Sequence, residues 1–176
     1  MRKTFVMLLA VMIGTTLYAQ TPSKSMSDAE KFSEQAGTLI QREFIEVGSL
    51  KKATLKVVKY TDLISGTSIS SLRFEMVVAS AYSKDTKMAA LDQDEIDGLV
   101  KSIKTMKEKV FPLNPENYTE VTYKSRSDFE AGCFRSKGDW STYLKLERYD
   151  SDSYVFLKKD DFPALLALLE KAKGMM

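Results

Sequence analysis

Histidine is absent from all 176 residues, and cysteine occurs once, at Cys133. The first absence excludes Ser-His-Asp and Cys-His catalysis and every zinc site built on imidazole. The second excludes thiolate clusters and any internal disulfide. Neither G-x-x-x-x-G-K-[ST] nor G-x-G-x-x-G is present, so the glycine-rich phosphate cradles readable in sequence are missing too. Carboxylate-only chemistry needs two acids facing each other in a cleft. No pair stands out for it, and a carboxylate-dependent hydrolase stays as one alternative. No enzyme and no cofactor is expected from these residues.

Excess charge of one sign is also lacking. The chain holds 26 Lys+Arg and 24 Asp+Glu, and stretches such as "KSRSDFEAGCFRSKGD" alternate the signs closely. A general nucleic-acid or anionic-membrane binder would show a basic excess or a basic run. Long apolar runs are missing after residue 13, so no later segment is long enough to span a bilayer, which takes about 20 residues.

The first nineteen residues read differently. "MRKTFVMLLAVMIGTTLYA" opens on Arg2 and Lys3, runs apolar from Phe5 to Ile13, then relaxes through Gly14, Thr15 and Thr16 to Ala19. That order is the n-, h- and c-region of a secretory signal peptide. Residues 1–19 are therefore expected to be removed, which takes away Arg2 and Lys3 and leaves a formally neutral exported chain of about 157 residues, ample for one domain. No cysteine follows the expected cut. Export places the product in the periplasm or outside the cell, with no transmembrane segment after cleavage.

Residues 20–36 form a polar leader in which Ser27 to Gln35 reads as a short helix. Thr38 to Val47 is ambiguous. Phe32, Ala36, Leu39, Ile40, Phe44 and Val47 fit helical spacing, while Leu39 through Val47 also alternate as a strand between Gly37 and Gly48. From there the pattern is clearer. "ATLKVVKYTDL", "ISSLRFEMVVAS" and "DTKMAALD" read as strands, followed by a helix from Asp94 to Lys109 with its apolar stripe at Ile96, Leu99, Val100, Ile103 and Met106. Pro112 and Pro115 break the chain. "YTEVTYKS", "DFEAGCFRS", "DWSTYLKLERY" and "SYVFLKK" then restart the strand pattern, separated by turn residues. A helix from Asp160 to Ala172 closes it.

The two helices open on one phrase. "LDQDEIDGLVKSI" (Leu91 to Ile103) and "LKKDDFPALLALL" (Leu157 to Leu169) align with a constant offset: Leu91 with Leu157, Asp94 with Asp160, Glu95 with Asp161, Ile96 with Phe162, Leu99 with Leu165, Ile103 with Leu169. The leucine ends a strand, the acids suit a helix N-terminus, and the apolar positions cover a sheet. Asp94 is the expected N-cap. A calcium loop over the same acids fails, since it would need a ligand at Ile96 and a glutamate at Ile103. The fold class expected is thus α+β: a single domain over residues 37–176 of two repeats (37–111 and 116–173), each an antiparallel β-sheet of about four strands followed by one amphipathic helix.

A double unit of strands then helix resembles, in element order over residues 38–173, the arrangement of the Whirly and PUR-type single-stranded nucleic-acid-binding proteins, and of a family of transcriptional coactivators with one unit per chain. "YVFLKKDDFPALLALLEKA" is similar to the final strand and helix of that unit. The resemblance implies a single-stranded nucleic-acid ligand, against which the missing basic excess and the export signal weigh. The Tyr-Ala-Gln end of the leader and "TEV-x-Y-K" to "F-E-x-G" also resemble small exported Bacteroidetes proteins. Neither likeness assigns a functional residue.

The aromatics are uneven: sixteen follow the leader, and ten of them lie between Tyr118 and Phe162. In "DWSTYLKLERY" alternation sends Trp140, Thr142, Leu144 and Leu146 to one face and Tyr143 to the other, so Trp140 is expected in the core and Tyr143 outside. Cys133 alternates with Phe129 and Ala131 and is expected buried. Tyr123, Tyr143, Arg148 and Tyr149 are the candidate ligand surface, for a glycan, a peptide, unpaired bases or a partner protein. Strand edges at the sheet ends add homo-oligomerisation as a candidate. The leading expectation is an exported, non-enzymatic binding or interaction module.

Overall fold

The computed structural model describes residues 26–79 and 83–176; the leader over residues 1–19 and the first part of the polar segment lie outside them. Two four-stranded antiparallel sheets make up the body, each a simple meander with its strands in chain order. The first holds β1 (Ile40–Leu50), β2 (Ala53–Asp62), β3 (Ser68–Ala79) and β4 (Lys84–Leu91). Helix α2 (Gln93–Thr105) follows and ends in a π-turn over Met106–Val110. The second holds β5 (Thr119–Lys124), β6 (Glu130–Ser136), β7 (Asp139–Lys145) and β8 (Tyr154–Leu157), and α3 (Phe162–Lys173) closes the chain. The fold is α+β with two sheets, as the sequence pattern implies.

The ambiguous segment after Thr38 is strand. β1 pairs with β2 from Ile40↔Asp62 to Leu50↔Ala53, with a bulge between Glu46 and Gly48. Backbone pairing along eleven residues outweighs the helical spacing of six apolar ones. Gly48 has φ +154°, which side chains rarely adopt, and a Cβ there would sit 2.7 Å from Leu168 of α3. Glycine therefore lets α3 approach the bulge, where the Lys171 ammonium donates to the Val47 carbonyl at 2.6 Å.

A single core lies between the inner faces of the sheets and the two long helices. Leu55, Val57, Leu72, Phe74 and Leu91 of the first sheet belong to the same buried cluster as Ala131, Cys133, Trp140, Leu144 and Val155 of the second. Phe74 stacks on Phe129 with ring centroids 4.9 Å apart, joining the halves directly. Phe111 lies between Trp140 and Phe162, at 6.3 and 5.4 Å. Trp140 and Cys133 are buried, in line with their alternation. Burial pushes the Cys133 thiol pKa up to about 11, so at neutral pH it is a small apolar group rather than a nucleophile.

The repeated phrase forms the same corner twice. The Asp92 N–H donates to the Glu95 carboxylate at 2.9 Å, and the Lys158 N–H donates to the Asp161 carboxylate at 2.7 Å. In each corner a leucine ends the strand, and Ile96 or Phe162 opens the buried stripe. The expectation of Asp94 as N-cap is corrected: Asp92 is the N-cap of α2, one strand-like step earlier, and Asp94 sits in the first turn.

Asp92 has a further role that local sequence does not show. Its carboxylate accepts the Asp28 and Ala29 N–H groups at 2.7 and 3.2 Å, holding the N-terminus of α1 (Asp28–Ser33). A capping box, with Ser27 Oγ accepting the Glu30 N–H and the Glu30 carboxylate accepting the Ser27 N–H, sets that short helix. Ala29 packs on Val58 and Tyr60, on the outer face of the first sheet. The part of the polar leader from Ser27 to Ser33 is therefore a docked helix.

Candidate ligand surface on the second sheet

Alternation gives the second sheet two unlike faces. Val121, Ala131, Cys133, Trp140, Leu144, Val155 and Leu157 point to the core. The opposite, outer face carries Glu120, Thr122, Lys124, Glu130, Gly132, Phe134, Ser141, Tyr143, Lys145, Tyr154 and Phe156, placed by the registers Thr122↔Gly132, Lys124↔Glu130, Gly132↔Tyr143, Glu130↔Lys145, Tyr143↔Phe156 and Lys145↔Tyr154.

Five rings run across this face in unbroken contact. Tyr118, just before β5, lies 6.3 Å from Phe134; Phe134 lies 6.3 Å from Tyr143; Tyr143 lies 5.3 Å from Tyr154; and Tyr154 stacks on Phe156 at 5.7 Å and 9°. The ends are open, with Tyr118 66% and Phe156 62% exposed. Among the described residues no helix packs against this face.

Tyr143 is the floor of the row. It faces outward as the alternation requires, yet it is only 3% exposed. The hydroxyl end of its ring lies against Gly132, where a Cβ would come within 2.9 Å of the hydroxyl oxygen and the carbon that bears it. The hydroxyl donates to Glu120 at 2.7 Å and lies 3.1 Å from the Thr122 hydroxyl. Burial, with the Glu120 carboxylate adding to it, holds the phenol far above its ordinary pKa, so it stays neutral. Glu120 also accepts from the Tyr118 hydroxyl at 3.3 Å. The Lys145 ammonium sits 5.1 Å over the Tyr154 ring.

The other three expected positions do not join this row. Tyr123 is corrected outright: it is on the inner face, half-buried, with its hydroxyl donating to the Glu95 carbonyl at 2.7 Å and its ring against Gly98 of α2. Burial and the nearby Glu95 push its pKa up to about 12. Arg148 and Tyr149 form a local pair on the β7–β8 connection, the guanidinium 4.9 Å above the ring. Tyr149 is 84% exposed, and Arg148 lies 3.8 Å from Asp128. Phe134 and Phe156, which alternation alone would have placed outside, were not among the expected positions; nor was Tyr118.

Each end of the row opens into a cleft. One, of about 270 Å³, is lined by Tyr118 with Glu116, Asn117, Arg135 and Ser136. The other, of about 430 Å³, is lined by Phe156 with Asp139, Ser141, Thr142 and Lys158. It lies where β8 leaves the sheet at Leu157 while β7 extends back to Asp139.

The acidic cluster at the first corner is occupied by structural bonds. Arg126, on the β5–β6 turn, donates to Asp92 and to both oxygens of Asp94 at 2.8 Å, and its N–H donates to Glu95 at 2.6 Å. The guanidinium holds the Asp94 carboxyl below its ordinary pKa, the wrong direction for a general acid at neutral pH. This chain matches no family model, no curated protein and no solved structure.

Proposed function

We propose that the chain is an exported, non-enzymatic binding module whose ligand surface is the outer face of the second sheet. The observation that carries this reading is the five-ring row, continuous from the entry of β5 across β6 and β7 to β8 and left open at both ends. A monomeric fold gains nothing from exposing two large rings beside two clefts, whereas a binding face uses them. The test is a binding screen of the purified protein against three ligand classes: oligosaccharides, peptides and single-stranded DNA. Any binder of this face should be weakened by the Tyr118→Ala/Phe156→Ala double variant. Binders wholly indifferent to that variant would refute the reading. Export rests on residues 1–19: secretion from a bacterial host should yield a product beginning at Gln20, and retention of Met1 would refute it.

A second reading is a single-stranded nucleic-acid binder of Whirly-like architecture, favoured by the outer face of the first sheet. There the Arg42 and Arg73 guanidinium groups lie 5.8 and 5.7 Å over Tyr60 and Phe44, beside a cleft of about 330 Å³. Such binding would weaken steeply with added salt and would fall on Arg42→Ala.

A further inference from the structure

We infer that the ring row takes a linear, uncharged oligosaccharide lying across the strands, with its ends in the two flanking clefts. This rests on the outer face of the second sheet being the ligand surface, and it names the ligand class.

Shape comes first. Neighbouring strands lie about 4.8 Å apart, and the row runs from Tyr118, at the entry to β5, across β6 and β7 to β8, where it turns along the strand from Tyr154 to Phe156. Its centroids fall at steps of 5.3 to 6.3 Å. An occupant that touches both open ends must therefore be extended and several rings long. A single small molecule would leave Tyr118 or Phe156 uncovered.

Charge comes second. The Glu120 carboxylate stands on the edge strand β5, beside the Tyr118 end of the row, and is bonded to two of the row's hydroxyls. It opposes a phosphodiester backbone, and Lys145 is the cation held on the row itself. The clefts mix signs and neutral groups: Glu116 with Arg135, Lys137 and Asn117 at one end, a slight basic excess, and Asp139 and Asp160 with Lys158, Lys159 and Ser141 at the other, where the charges balance. Such mixed linings suit a ligand rich in hydroxyl donors and acceptors and without net charge. A purely apolar partner would leave those polar groups without partners and is disfavoured for that reason.

Chemistry comes third. Sugar rings present C–H edges that sit on the negative faces of aromatic rings, while their hydroxyls reach sideways to polar neighbours. The face offers both. Rings form its row, and Glu120, Thr122 and Ser141 stand at the sides. The floor is fixed in advance, because Tyr143 is bedded on Gly132 and held by Glu120 and Thr122, so little ordering remains to be done on binding.

The experiment is calorimetric titration of the purified protein with linear glucose, mannose and N-acetylglucosamine oligomers, from disaccharide to hexasaccharide. A thymidine oligonucleotide and a random peptide pool are titrated in parallel. At least one sugar series should bind, with affinity rising with length and little changed by added salt. Tyr118→Ala and Phe156→Ala should each weaken it by roughly three- to tenfold. If no oligosaccharide binds but the oligonucleotide or a peptide does so in a Phe156-dependent way, the sugar inference is overturned and the face stands. If sugars bind but ignore both substitutions, the inference is overturned at this site. If no binder of any class depends on either ring, the face and the inference fall together.

Discussion

The two sheets share one plan and differ on their outer faces. Both are four-stranded meanders that turn into a helix through the same N–H to carboxylate corner. On the first sheet the outer face is partly closed: α1 lays Ala29 on Val58 and Tyr60, and its charges are tied down flat. Glu75 holds Lys56 at 2.6 Å and Arg73 at 2.8 Å, and Arg73 donates to the Met88 sulfur at 2.8 Å. That face also bears two rings, Tyr60 and a half-exposed Phe44, each under an arginine, whereas on the second sheet five rings stand in one continuous row with both ends exposed. The inner faces and the corner are constrained by a common core, because each must fit helices and a neighbouring sheet. The outer faces are free of that constraint, so they are where the halves diverge and where a ligand surface can arise.

The largest expected effect comes from breaking what the halves share. Phe74→Ala removes the ring that stacks on Phe129 and opens a cavity between the sheets. It should cost about 3–5 kcal/mol in denaturant unfolding and lower Tm for both halves in one transition. Two separated transitions would contradict a single core.

Next is the device peculiar to the second sheet. Gly132→Ala places a methyl against the Tyr143 ring and hydroxyl, with the Val121 carbonyl 2.9 Å away. The ring must lift from its bed, at about 1–3 kcal/mol, with a change in the near-ultraviolet tyrosine circular dichroism. An unchanged tyrosine signal would show that Tyr143 does not lie on that glycine.

The link between the halves at the first corner should be weaker. Arg126→Ala removes the cation facing Asp92, Asp94 and Glu95 and leaves Asp92 and Glu95, both nearly buried, only their backbone N–H partners. Arg126 itself is about a third exposed, so solvent screening limits the loss to about 1–2 kcal/mol. The acid profile follows from the same contacts. Folded-state pKa values of Asp94, Asp150 and Asp161 are depressed, by Arg126, by Lys87 and by the Lys158 N–H respectively. As pH falls the unfolded chain takes up these protons first. Their contribution is therefore whole above the ordinary value of 3.8 and disappears as pH drops through the lower folded values. Tm should hold from neutrality to about pH 5 and decline below it, and Arg126→Ala should flatten part of that decline.

The smallest effect on stability is expected at the open end of the row. Phe156→Ala should change unfolding by about 0.5 kcal/mol or less, as surface substitutions do, while weakening ligand binding. A large loss of stability would instead make Phe156 a packing residue.

Alternation and turn residues were enough to read the order of elements along the chain, the two corners, and the inward positions of Trp140 and Cys133. Tyr123 was equally readable, since it shares a face with Val121 in "TEVTYK", and that partner marks the face as inner. Phe134 and Phe156 were readable by the same rule. The bed of Tyr143 was not, because it depends on Gly132 standing opposite in the β6–β7 register, which a single sequence does not fix. Nor was the anchoring of α1, whose N–H groups meet a carboxylate at Asp92, more than sixty residues away. The cap itself is at Asp92 rather than Asp94 because β4 ends at Leu91 and the helix starts at once, at Gln93.

The most direct test of the ring row as the ligand surface is an amide and aromatic nuclear magnetic resonance titration with the linear oligosaccharides. Shifts concentrated on Tyr118, Phe134, Tyr154 and Phe156 and on the residues lining the two end clefts are the predicted result. Shifts gathered instead around Arg42, Phe44 and Arg73 on the first sheet would contradict it.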